Sequence, residues 1–277
     1  MARLTSQCIG ELTDMLALRS ILFNTLFYIN LIGRMVVMTP IYFIVPRRMA
    51  FEVPKAWARS NHWLMKHIVG TTFEIEGLEN IPETGCIFAP KHQSFWDTYA
   101  LLPNLKDPVY ILKRELTWIP FFGWYLAKQR MIPVNRGARG KEMLKVMDRA
   151  RDEMALGREL IIYPEGTRLP PGAEPAYRYG IARLYRDLQV PVVPVAMHPG
   201  LFWPRTTTMR YPGHFKVRIL PAIQPGLDPD EFFAKLIEVT EKASDELLVE
   251  TARNNPDLPL PPTAVKRLAE LQACRSN

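Results

Sequence analysis

Apolar residues follow two different patterns along this chain, and the change falls near residue 70. From Ile21 to Val45 the chain is almost wholly apolar, broken by Asn24, Thr25, Asn30, Arg34 and Thr39. About 20 such residues suffice to cross a bilayer as a helix. Arg34, near the middle, costs about 2.5–3.5 kcal/mol on insertion scales, and Pro40 predicts a kink or break. Three readings fit this run. It is a tilted transmembrane helix held by Arg47 and Arg48 on the cytoplasmic side, a helix that dips into one leaflet and returns, or a buried core helix. Residues 49–69 predict a second helix, with Trp57, Trp63, Leu64 and Ile68 as its apolar surface. Arg47, Arg48, Lys55, Arg59 and Lys66 face only Glu52 in charge, which suits a membrane-interface helix or a solvated helix packed on a core.

From Thr71 onward short strands and helices alternate. Phe73–Glu76 alternates with period two and ends at Gly77. Cys86–Ala89, Val109–Leu112, Met131–Val134, Leu160–Tyr163 and Val192–Met197 read as further strands, and Phe215–Leu220 alternates as an edge strand would. Pro194 inside its strand marks an edge or a bulge. Helical spacing covers Arg139–Leu156, Ile181–Leu188 and Pro229–Arg253, the last with Asp228 as N-cap. The expected fold is α/β, a mixed sheet flanked by helices. The expected division is membrane-associating helices over 1–70, an α/β domain over 71–254, and a Pro-rich linker with a short helix over 255–277.

The length of 277 residues and 48 % hydrophobic content allow one sizeable core. Three cysteines, far apart and odd in number, build neither a disulfide framework nor a metal pair. No two histidines or cysteines have zinc-ligand spacing, so no metal site is expected. A net charge of +7 fits an anionic membrane, an anionic substrate or nucleic acid. No block of interleaved basic and aromatic residues favours nucleic acid, which ranks last.

Candidate chemistry begins at Lys91-His92-Gln93-Ser94-Phe95-Trp96-Asp97. It follows a buried strand, and Trp96–Leu102 reads as the start of a helix, so His92 and Asp97 flank a strand-to-helix connection. Open α/β sheets place their chemistry at such strand ends. A histidine near neutral pKa can take the proton of an attacking alcohol, and a carboxylate can orient it. Ser94-x-x-Asp97 equally matches a capping box. Backbone N–H groups of Ser94–Trp96 are candidate oxyanion donors. In Tyr163-Pro164-Glu165-Gly166-Thr167-Arg168, Gly166 permits close backbone approach and Arg168 can fork a phosphate. A third block joins Lys113 to Phe121, Phe122 and Trp124 and to Arg136. The cations suit a phosphate, and the aromatics suit an acyl wall or simply core.

In this order the blocks HxxxxD, IPFFGW…R, PEGTR and VPV resemble the glycerolipid acyltransferase family, and most of all its bacterial 1-acyl-sn-glycerol-3-phosphate acyltransferases. The resemblance spans residues 91–196 and continues through Gly200–Pro204. It implies that His92 and Asp97 are the catalytic dyad. It also implies that Arg168 and Arg136, with Lys113, and the turn residues Glu165, Gly166 and Thr167, bind the substrate phosphate. Phe121, Phe122 and Trp124 would line the acyl chain. The implied acceptor is lysophosphatidate. The donor is acyl-CoA or acyl carrier protein, and there is no bound cofactor. The implied location is the inner membrane, with the catalytic domain on its cytoplasmic side. Other acceptors, such as glycerol-3-phosphate, another lysophospholipid or an amino-acid lipid, stay open, as does hydrolysis. The chain departs from many family members at Lys91 (commonly Asn), Tyr163 (commonly Phe) and Leu169 (commonly Ser).

Overall fold

A computed structural model describes residues 6–135 and 141–276. A long helix, α1 (Ser6–Ile44), leads through the short α2 (Arg47–Ala50) into α3 (Glu52–Leu64), which ends in a wider π turn (Met65–Val69). Strands β1 (Thr71–Glu76), β2 (Cys86–Pro90) and β3 (Pro108–Lys113) follow, then α4 (Phe122–Lys128), β4 (Ile132–Val134), α5 (Lys141–Ala155) and β5 (Glu159–Ile161). The chain closes with α6 (Gly180–Leu188), β6 (Val192–Met197), β7 (Gly213–Ile219), α7 (Pro229–Asn254) and α8 (Pro262–Ser276). Asp228 caps α7 as expected, its side chain accepting from Asp230 N.

The seven strands form one sheet in the order β1-β7-β6-β2-β5-β3-β4. All neighbours are parallel except β6 and β7, so β6, β2, β5, β3 and β4 end at one common edge. Every block singled out in the sequence follows one of these five strands except VPV, which lies within β6. The mixed sheet flanked by helices is the fold expected.

Three local expectations are corrected. Strand β7 is interior, between β1 and β6. Its alternation is real, with Phe215, Val217 and Ile219 buried on one face. Its polar side chains meet carboxylates rather than solvent: Lys216 pairs with Glu76 and Glu250, and Arg218 with Glu76 and Glu246. Trp96–Leu102 is no helix but two single 3-10 turns, Trp96–Thr98 and Leu102–Asn104. Pro40 does not break α1, which runs on to Ile44.

Helix α1 is long and apolar enough to cross a membrane, and only 11% of its most apolar window is buried. One stripe lies on the rest of the protein. Ser20 Oγ accepts from Arg210 N at 2.9 Å, and Asn24 donates to Thr208 O at 2.8 Å. Asn30 donates to Ser60 Oγ at 2.8 Å, and Tyr42 stacks on Tyr125 at 3.8 Å. Phe23 and Phe27 belong to the main core. Of the polar interruptions, Asn24, Asn30, Arg34 and Thr39 are partly buried and Thr25 is exposed, as are Leu18, Ile21, Ile29, Ile32, Val36, Val37 and Ile44. In α3, Trp57 is buried and Trp63 exposed. Arg47 is paired with Asp107 and Lys55 with Glu52, so part of the expected interface charge is engaged within the protein.

At the opposite edge of the sheet lies a buried ionic knot. Arg158 is fully buried. It donates to Glu153 at 2.7 Å and to the carbonyls of Asp107, Pro108 and Gln129. Glu159 accepts from the backbone of Lys106 and Asp107. Glu153 keeps Arg130 at 2.7 Å and Asp107 keeps Arg47, but without Arg158 the carbonyls of Asp107, Pro108 and Gln129 lose a donor and Glu153 loses half its pairing, so Arg158→Ala is expected to cost about 3–5 kcal/mol in denaturant unfolding. A cost under about 1 kcal/mol would show that the knot is dispensable.

Candidate active site

The site is built at the end of β2. Lys91 N still bonds Val195 O at 3.0 Å, so the chain leaves the sheet only at His92. The loop then folds back on Asp97, whose side chain is inaccessible to solvent. Asp97 Oδ2 accepts from Gln93 N at 2.6 Å and from Ser94 N at 3.0 Å, and it stands 3.2 Å from His92 Nδ1. The histidine contact has the distance of an ion pair but not the alignment of a hydrogen bond. The bond from Ser94 N is one half of the capping box read from the sequence. Orienting His92 and closing the turn therefore fall to the same oxygen.

Two groups from the turn after β5 complete the setting. The Tyr163 ring stacks on His92 at 4.0 Å, and its hydroxyl donates to Asp97 O at 2.9 Å. Burial pushes the Tyr163 phenol well up, so it stays a neutral donor. Glu165 is turned inward: Oε2 accepts from His92 N at 3.2 Å and Oε1 lies 3.2 Å from Lys91 Nζ. Gly166 takes a positive φ of 68°, the conformation this tight turn requires. Leu169 N donates to His92 O at 2.9 Å, which lays the half-buried residues Gly166–Arg168 beside the histidine. Among the described residues no carboxylate pairs with the Arg168 side chain.

The other expected residues are spread along the same edge. Lys113 ends β3, exposed, with Glu115 at 3.2 Å. Phe121 and Trp124 have ring centroids 5.0 Å apart, and Phe121 sits at a φ of 62°. Trp124 and Trp118 face outward, while Tyr125 holds α4 against α1. Arg136 lies outside the described residues. Two of the candidate oxyanion donors are engaged: Ser94 N bonds Asp97 and Trp96 N bonds Ser94 Oγ. Among the described residues no serine or cysteine side chain is hydrogen-bonded to either ring nitrogen of His92, whose Nδ1 faces Asp97, and no cluster of three metal-ligating side chains occurs.

The sequence reading missed a histidine. His198, just beyond β6, is buried, with Nδ1 3.1 Å from Gln93 Nε2 and Nε2 2.7 Å from Ser244 O. The carbonyl fixes the proton on Nε2, so Nδ1 accepts from Gln93. Only its place after a strand ending at the active edge could have flagged it.

The Acyltransferase family model matches residues 72–198. A 1-acyl-sn-glycerol-3-phosphate acyltransferase of Pseudomonas aeruginosa is 35% identical over 209 residues, covering 75% of this chain and 81% of that one. The alpha 1-acyl-sn-glycerol-3-phosphate acyltransferase of Mus musculus is 28% identical over 171 residues, 60% of each chain. The crystal structure of the 1-acyl-sn-glycerophosphate acyltransferase PlsC from Thermotoga maritima superposes with a TM-score of 0.69. That match covers 83% of this chain and 97% of the other, and at 21% identity the likeness is one of fold.

Burial lowers the His198 pKa from 6.5 to about 4, with Lys91 adding to the effect. The unfolded chain therefore takes up this proton below about pH 6.5 and the folded protein only near pH 4. Stability is lost as pH falls through that window, by about 3 kcal/mol from His198. His62, lowered to about 4 by burial, acts in the same direction. Thermal midpoints in detergent are expected to fall between about pH 7 and about pH 4.5, and to fall less steeply in His198→Asn. Equal slopes would remove His198 from the acid response.

Proposed function

Because the chain belongs to the 1-acyl-sn-glycerol-3-phosphate acyltransferase family, we propose that it moves an acyl group from a thioester to the sn-2 hydroxyl of lysophosphatidate, giving phosphatidate for phospholipid synthesis. The observation that carries this reading is His92 set against Asp97, with no serine or cysteine among the described residues hydrogen-bonded to its ring. Such a histidine acts on a hydroxyl that the substrate brings.

His92 Nδ1 faces Asp97, so Nε2 is the atom that meets the acceptor. As the hydroxyl oxygen attacks the thioester carbonyl, its proton passes to Nε2. Asp97 stabilises the imidazolium that forms. The tetrahedral intermediate expels the thiolate, which takes that proton and leaves as the thiol of coenzyme A or acyl carrier protein. Ester and thiol replace alcohol and thioester with no covalent enzyme intermediate and no bound cofactor. Arg168 grips the acceptor phosphate, with the Gly166–Thr167 backbone and Lys113 along the same edge, and Arg136, outside the described residues, as a further phosphate-binding residue. Phe121, Phe122 and Trp124 guide the acyl chain towards α1.

The protein works at a membrane. Contacts from Ser20 to Tyr42 tie α1 along its length to the rest of the protein, whereas a spanning helix would have to stand clear of it. These contacts favour a helix lying along the bilayer with the exposed Ile32, Val36 and Ile44 immersed, and the proposed location is the cytoplasmic face of the inner membrane.

The test is full-length protein in phospholipid vesicles with one labelled acyl thioester and a panel of lysophosphatidate, glycerol-3-phosphate, a zwitterionic lysolipid and water alone. Label is expected in phosphatidate, with turnover about 10²–10⁴-fold lower in His92→Ala. Label on another acceptor would reassign the substrate. Free fatty acid without lipid product would identify a hydrolase.

A further inference from the structure

The two residues flanking His92 in the chain turn the opposite way from it. Lys91 is 6 % exposed, and its ammonium lies 2.6 Å from Glu241 Oε1 and 3.2 Å from Glu165 Oε1. Gln93 reaches His198, which donates to Ser244 O. Glu241 and Ser244 stand one turn apart on α7, so a single helix holds the back of the catalytic loop at two points. Tyr177 Oη also donates to Glu241 Oε1, at 2.7 Å, and gives that oxygen a second partner beside Lys91.

We propose that Lys91 is a positioning residue for acyl transfer. Clamped between Glu165 and Glu241, it sets the Glu165 carboxylate that accepts the His92 backbone N–H, and so sets His92 against Asp97. The proposal rests on the acyl-transfer reading above. Its logic is electrostatic. Glu165 is inaccessible to solvent, and an unpaired carboxylate there would protonate or pull away. One Glu165 oxygen meets Lys91 and the other meets His92 N, so Lys91 fixes which oxygen faces the loop. The remaining carboxylate, Glu241, is partly exposed and tolerates the net negative charge of the triad. Lys91, Gln93, Glu165 and His198 line a cavity of about 260 Å³ to which His92, Asp97 and Arg168 do not contribute. Lys91 therefore works through the loop rather than on the reacting atoms. An asparagine at this position would lack the reach and the charge to join Glu165 to α7, so the departure at position 91 and the carboxylate at 241 form one device.

The test compares wild type, Lys91→Met, Glu165→Gln and the double variant in the vesicle assay and in thermal unfolding. Lys91→Met is expected to lower kcat about tenfold or more, with KM for acceptor and donor within about twofold, and to lower Tm. The double variant removes both buried charges. Its Tm is expected to recover towards wild type while kcat stays low, because nothing then orients an acceptor oxygen towards His92 N. Recovery of kcat together with Tm would reduce Lys91 to a structural partner and overturn the proposal. Where Lys91→Met does not fold, Glu241→Gln carries the test. It keeps the Lys91–Glu165 pair and is expected to give a kcat between wild type and zero at unchanged KM, while wild-type kcat would overturn the proposal. A wild type that acylates no lysolipid would count against the acyl-transfer reading. An active wild type with an equally active Lys91→Met counts against the positioning role alone.

Discussion

One carboxylate oxygen organises the site. Asp97 Oδ2 gathers the N–H groups of Gln93 and Ser94 and faces His92 Nδ1. Charge-assisted bonds to a buried carboxylate are stronger than neutral ones, and here two of them close the loop that carries the histidine. The same contacts that shape the turn thus fix the ring's orientation. Tyr163 covers the ring and Glu165 holds its backbone, so the PEGTR turn supports the His92–Asp97 pair as well as carrying Arg168.

The sheet makes this convergence possible. Five strands end at one edge, and the loops after β2, β5, β3, β4 and β6 arrive there together. The opposite edge is locked by Arg158 among Glu153, Asp107 and main-chain carbonyls. Helix α1 packs most of its polar interruptions and two phenylalanines on the protein and leaves its aliphatic residues outward. Tyr125 joins that helix to α4, which also carries the exposed Trp124.

Much of this was legible in the sequence, because local patterns have local causes. Apolar runs bounded by Pro and Gly marked the strands, Asp228 marked the start of α7, and motif order placed the chemistry. Other features depended on partners far along the chain. Phe215–Ile219 alternates like an edge strand because Glu246 and Glu250 on α7 neutralise its polar face. Trp96 to Leu102 has helical composition, yet the Asp97 turn and the packing of Trp96 against Phe73 and Phe215 hold it in 3-10 turns. Lys91 looked like a departure from the motif until Glu241, 150 residues on, appeared beside it. His198 gave no local signal, since its role lies in two bonds to other elements.

Replacing Asp97 by asparagine bears most directly on whether this carboxylate orients a base or only closes a turn. The oxygen of the substituted amide can still accept from Gln93 and Ser94, so the loop and the melting temperature should stay close to wild type. The same oxygen would still face His92 Nδ1, but the neutral amide carries no charge to stabilise the imidazolium that forms as the base takes its proton. Turnover of labelled phosphatidate in vesicles is expected to fall by about 10²–10⁴-fold at neutral pH with lysophosphatidate binding retained. Turnover near wild type in a folded Asp97→Asn protein would contradict the dyad and leave Asp97 as a cap.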